Sequence, residues 1–193
     1  ATVPTFYDLT FSNTGGTTLS NNINIAHDFT NNCATSMVPG TNSVTFNGAV
    51  LQTIGGSNTG EFYDVLFTNT TAGGTTFSID IEVGHDFTFN SDQTMTPGTQ
   101  LVTFNGSVVQ ALTGTGVPSF YDLTFNNTGP ANVIFGTDVN VGRHFTATSN
   151  FTHGSRLVTL NGSTAQILSG VTAPAFYDLT ITNTSGGTTF SND

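Results

Sequence analysis

The chain has 193 residues, 36% apolar and only 7% charged, with 17 Phe and 22 Gly, which excludes a disordered polyelectrolyte or a coiled coil and favours pleated, half-buried surfaces. Lysine is absent, Arg143 and Arg156 are the only formal cations, and the net charge is −10; such a surface repels phosphate backbones and anionic headgroups, so neither a nucleic-acid partner nor membrane insertion is expected. No apolar run approaches the about 18 residues of a spanning helix, and the single cysteine, Cys33, rules out an internal disulfide framework.

Phe-Tyr-Asp begins at positions 6, 62, 120 and 176, so the chain divides into units 6–61, 62–119 and 120–175 and a partial unit 176–193. A fixed period of this length signals a repeat architecture. Each unit opens with alternation: Tyr7, Leu9 and Phe11, then Tyr63, Val65 and Phe67, predict a strand with one buried face, Tyr included. Asp8 and Thr10 take the polar parity. Phe6 and its equivalents either turn a corner into the core or stand outside as a row, and the corner is favoured. A turn follows, and Thr71-Ala72 lengthen it in the second copy, where a loop tolerates insertion.

The next strand, through Ile23 and Ile25, meets Ala26-His27-Asp28-Phe29, matched by Gly84-His85-Asp86-Phe87 and Gly142-Arg143-His144-Phe145. These interruptions predict a corner or bulge. Turns are expected at Pro39-Gly40, Pro97-Gly98 and His153-Gly154. Strands such as Val44-Thr45-Phe46 then end in Asn47-Gly48, Asn105-Gly106 and Asn161-Gly162, read as tight turns in which both residues accept positive φ. A Gln stands five residues beyond each Asn, at Gln52, Gln110 and Gln166.

No segment carries a capped helical period, so the fold class is all-β: a repeat solenoid, a right-handed parallel β-helix of about three coils per 56–58-residue unit. Coils of about 18 to 20 residues stacked at ~4.8 Å would give about ten coils and a length of roughly 50 Å.

Residues recurring at one place in every copy read as scaffold, because a catalytic constellation converges once. Asp8, Asp64, Asp122 and Asp178 are therefore expected to hydrogen-bond turns or strand edges. His27-Asp28 and His85-Asp86 read as structural, since zinc wants three or four convergent ligands and no nucleophile repeats beside them. Calcium needs several converging oxygens, and no ligand loop of that kind is visible. No catalytic, cofactor or metal residue is assigned.

The pattern Phe-Tyr-Asp-Leu-Thr-Phe-x-Asn-Thr-Gly-Gly, followed by Asn-Gly-x-x-x-Gln-x-Leu-x-Gly, resembles the tandem repeats of bacterial cell-surface stalk and adhesin proteins. The resemblance implies an extracellular or cell-surface β-solenoid. The expected role is a structural, non-enzymatic segment of a filament, stalk or adhesin whose open edges pair head to tail with other copies. The edge proposed for this is Phe176, Tyr177, Leu179, Ile181 and Phe190. Alternatives are a glycan- or surface-binding module, with surface glycans as partner, and a functional amyloid-like matrix protein.

Overall fold

The computed structural model describes residues 2–70, 74–128, 132–171 and 174–192, together with the backbone but not the side chain of Asn192 within the last range. The inserted Thr71-Ala72 lie outside the described residues. All 20 strand pairings are parallel, from Thr5↔Asn24 near one end to Gly170↔Asn192 at the other, and no helix occurs among the described residues. The strands form a β-solenoid of about nine turns with roughly 21 residues per turn.

The solenoid has three faces. Eight strands, including Thr5–Phe6, Ile23–Ile25, Ser43–Phe46 and Asp64–Phe67, form the first. The second joins a five-stranded sheet, from Leu9–Phe11 to Met95–Thr96, to a four-stranded sheet, from Ser119–Phe120 to Asp178–Ile181, with Met95–Thr96 lying against Ser119–Phe120. Seven strands form the third, from Gly60–Phe62 to Thr188–Asn192, and the bridge between Thr18 and Val38 prefigures it.

The unit is not a whole number of turns. Phe6 and Phe176 lie 170 residues apart, and eight rung-to-rung steps separate Leu9–Phe11 from Asp178–Ile181 on the same face. Three units therefore fill eight turns, and the expected three coils per unit resolve to two and two-thirds. The second unit shows why: its eight strands, from Asp64–Phe67 to Ser119–Phe120, are shared among three faces. Each unit starts one face away from the last. Its first strand lies on the second face in copy one, the first face in copy two and the third face in copy three, then returns to the second face at Asp178–Ile181. Like motifs are thus about 13 Å apart along the axis and on different edges.

Inside, side chains of period two meet from three sides. Rings form an unbroken chain from Phe11 through Phe29, Phe46, Phe67, Phe87, Phe104, Phe125 and Phe145 to Phe176, with centroids 5.2 to 6.4 Å apart. Each such pair contributes about 0.5–1.5 kcal/mol beyond area burial. Because the rings link successive turns, the core is continuous along the axis.

Two expectations are corrected by the corners. Tyr is not in the core: Tyr7 is 63% and Tyr177 59% exposed and Tyr63 and Tyr121 are half-buried, whereas Phe62 and Phe120 are buried. The chain bends at Tyr-Asp, so the preceding Phe ends one strand pointing inward, Tyr and Asp cross the edge outward, and alternation restarts at Leu9, Val65 or Leu123. Asn-Gly is no positive-φ turn, since neither residue has positive φ in any of the three copies. Its glycine is needed for close approach: a Cβ on Gly48, Gly106 or Gly162 would lie 2.3, 2.1 or 1.9 Å from the carbonyl oxygen of Ala26, Gly84 or Gly142. The turns at Gly40, Gly98 and Gly154 do adopt positive φ, with Arg156 N–H donating to His153 O at 2.9 Å in the third.

Candidate functional site

The screw arrangement places different parts of one unit above each other on one edge. The Phe-Tyr-Asp corner is followed one turn later by the His-Asp corner, because Phe6 pairs with Ile25 and Leu9 with Phe29. His27 stacks on Tyr7, with centroids 4.8 Å apart, and its Nδ1 lies 2.6 Å from Asp8 Oδ1. Asp28 N–H donates to the same Asp8 oxygen at 3.1 Å. That N–H first, and His27 second, hold the Asp8 carboxyl below its ordinary value.

Copy two repeats this on another edge. Tyr63 and His85 stack at 4.8 Å, His85 Nδ1 is 2.6 Å from Asp64 Oδ1, and Asp86 N–H donates to that oxygen at 3.1 Å. The second acid stands close in both copies: Asp28 Oδ2 is 3.8 Å from His27 Nδ1, and Asp86 Oδ2 is 3.7 Å from His85 Nδ1. Asp8, His27 and Asp28 thus each offer one ligand atom within 4.8 Å of the others, as do Asp64, His85 and Asp86.

Copy three keeps the place and changes the chemistry. Arg143 donates from Nε to Asp122 Oδ1 at 2.9 Å and from its terminal nitrogen to Oδ2, and its guanidinium lies 4.7 Å from the Tyr121 ring centroid. The Asp122 carboxylate is the main cause that raises the Arg143 pKa. His144 occupies the second-acid position and accepts Ile167 N–H through Nδ1 at 3.1 Å. In copy four Tyr177 faces His153 of the preceding turn, with centroids 5.6 Å apart.

A third turn completes each edge. Gln52 is fully buried, donates to Ile25 O at 2.8 Å and His27 O at 2.9 Å, and accepts Gly48 N–H at 2.9 Å and the Asn69 amide. Gln110 does the same with Val83, His85, Gly106 and Asn127. Gln166 accepts from Gly162 at 3.3 Å and Asn183 at 2.8 Å and donates to Val141 at 2.9 Å. The repeated Gln is visible in the sequence, but its partners, up to 27 residues away, are brought to it only by the winding.

Of the five residues proposed as a self-association edge, Phe176 and Leu179 are half-buried against the core, while Tyr177, Ile181 and Phe190 are exposed. They sit on the last rungs, Asp178–Ile181 beside Leu157–Leu160 and Thr188–Asn192 beside Gln166–Gly170, and no further strand pairs with those rungs among the described residues. At the opposite end Pro4, Phe6, Leu9, Leu19 and Ile23 line a shallow apolar mouth. No protein-family model, curated protein or solved structure matches the chain.

Proposed function

We propose that this chain is a structural, non-enzymatic segment of an extracellular filament, stalk or adhesin, working as a stiff spacer that extends by further rungs of the same repeat. The observation that carries this reading is the repeat of two and two-thirds turns. It gives all three edges the same succession of interlocking corners and threads one chain of Phe rings through every turn. A rod so built resists bending because each turn is bonded to the next at its edges as well as along its faces.

Growth end to end uses the edge at Phe176, Tyr177, Leu179, Ile181 and Phe190. The stacking of Tyr7-Asp8 under His27-Asp28 tells what fits above Tyr177-Asp178: a rung whose corner carries His-Asp or Arg-His. A second copy entering with Phe6-Tyr7-Asp8 would set carboxylate on carboxylate, whereas one entering at Ile23 would supply His27. The test is sedimentation velocity over a concentration series with negative-stain imaging, for the whole chain and for a variant lacking residues 1–22. The proposal expects rods, with the variant forming long fibres at lower concentration. Monodisperse monomers in both would overturn end-to-end growth, and compact globules would overturn the spacer reading itself.

A glycan- or surface-binding flank is the second reading, favoured by the outward position of Tyr7 and Tyr177. A glycan array with no hits removes it.

A further inference from the structure

We propose that the Asp8-His27-Asp28 and Asp64-His85-Asp86 corners are two equivalent binding sites for a borderline divalent transition-metal ion of the Zn²⁺, Co²⁺ or Ni²⁺ class. The proposal is independent of the spacer reading, because it concerns corners in the body of the solenoid.

The donor set is two carboxylate oxygens and one imidazole nitrogen, drawn from two consecutive turns. The same set with the same spacings arises on two different edges, 2.6 and 3.8 Å in one and 2.6 and 3.7 Å in the other. Ions bound at about 2.0–2.2 Å place neighbouring ligand atoms roughly 3.3 Å apart in a tetrahedral site. The short pair must open and the long pair close by about half an ångström or somewhat more, which rotation of partly exposed carboxylates provides. Each carboxylate is already oriented by a backbone donor: Asp8 Oδ1, which faces His27, also accepts Asp28 N–H, and Asp28 Oδ1 accepts Thr53 N–H at 2.8 Å while its Oδ2 faces the imidazole. Asp64 and Asp86 are held likewise by Asp86 N–H and Ala111 N–H. The Tyr ring under each His fixes the imidazole plane. Outer-shell fixation of this kind is characteristic of metal ligands.

The third corner supplies a second, independent argument. There the partner standing on Asp122 is the Arg143 guanidinium, and the second acid is replaced by His144. With imidazoles neutral, the three corners carry −2, −2 and 0. The copy that brings its own cation gives up an acid, and the two copies that lack one keep both acids. A dication neutralises each of the first two corners. Mixed nitrogen and oxygen donors favour the borderline ions over Ca²⁺ and Mg²⁺, which take all-oxygen shells. Three protein ligands on a half-exposed edge leave the remaining positions to water.

The experiment is calorimetric titration of chelator-stripped whole chain with Zn²⁺, and separately with Ca²⁺, alongside the Co²⁺ absorption spectrum. Two Zn²⁺ per chain are expected, falling to one in His27→Ala or His85→Ala and to none in the double variant. Asp8→Asn, which leaves His27 and its stacking in place, should also remove one site and guards against loss of folding, read by circular dichroism. His153→Ala should leave the count at two. The paired change Arg143→His with His144→Asp should raise it to three. Fewer than two sites in the parent, a count unchanged in the double variant, or equal affinity for Ca²⁺ overturns the proposal.

Discussion

The carbonyl oxygen of Ala26 sits beneath Gly48 so closely that a Cβ on Gly48 would lie 2.3 Å from it, and Gly84 stands under Gly106 in the same relation at 2.1 Å. Neither Gly48 nor Gly106 has positive φ, so the requirement for glycine there is steric. Gly106→Ala should therefore destabilise the chain by about 2–3 kcal/mol, as overpacking does. Gly15→Ala is the control: nothing lies within 4 Å of its Cβ position and its φ is ordinary, so loss of unfolded-state freedom makes it neutral or stabilising by about 0.4–1 kcal/mol. Denaturant midpoints of the two variants check the contrast, and equal effects would refute it.

Gln110 satisfies four groups at once. Replacement by Leu keeps the volume and strands the carbonyl of His85 and the N–H of Gly106 near the edge of the core, while Val83 O keeps the Asn105 N–H. Each buried group left unpaired costs about 1–3 kcal/mol. Gln110→Leu should lose on the order of 3 kcal/mol, more than Leu at an exposed rung position such as Thr10 costs, measured by the same midpoints.

The strands, their parallel stacking and the absence of helix were legible in the sequence, because period-two alternation survives in Leu9 and Phe11 or Val65 and Phe67 whatever the winding. The phase of the winding was not. A period of 56–58 residues says how often a motif returns, but not how many corners lie between, and only a register such as Ile23↔Val44↔Val65 reveals a turn near 21 residues. Without that length Asp8 and His27 are merely 19 positions apart, and the three-ligand cluster they make with Asp28 is invisible. Tyr was misread for a local reason: it stands in step with Leu9 and Phe11, and a bend at Tyr-Asp breaks the step without any Gly or Pro to announce it.

Asp122 is the most enclosed acid of its class, its side chain 10% exposed beneath an Arg143 side chain that is 38% exposed. Arg143→Ala leaves that carboxylate without its cation and should cost about 1–3 kcal/mol, the lower end reflecting access of water to the outer partner. Asp122→Asn in the Arg143→Ala background should recover part of the loss. A double-mutant cycle on thermal midpoints reads the coupling, and strict additivity would sink it.

Glu61 and Glu82 are register partners on neighbouring rungs. Burial first, and the Glu82 charge as well, raise the Glu61 pKa above 4.5, against the opposing hydrogen bond from Ser36. A carboxyl raised in the fold stabilises it least when ionised: stability is highest below the unfolded pKa and falls as pH rises through the folded one. Glu61→Gln should stabilise the chain at pH 7 by on the order of 0.3 kcal/mol after allowance for solvent screening, with no gain near pH 3.5, about a unit below the ordinary Glu value. Melting curves at the two pH values decide it, and a gain confined to acid would reverse the sign.

The screw relation makes a prediction about length. Deleting residues 62–119 removes one whole unit and joins Glu61 to Phe120, so every edge still runs through its corners in the same succession, only with the later turns rotated by one face. Deleting Val65–Asp86 removes a single turn, since Val65 pairs with Phe87, and preserves strand alternation on either side. It nevertheless takes His85 from Asp64 and sets the Asn105-Gly106 corner where the His-Asp corner belongs, so that mismatched corners meet on all three edges. The shorter deletion should therefore be the more damaging. The expected result is a cooperative melt for the chain lacking 62–119, and a lower midpoint or loss of cooperativity for the chain lacking 65–86, read by circular dichroism at equal concentration. If the one-turn deletion were as stable as the unit deletion, stacking of strands alone would hold the solenoid and the edge corners would be incidental.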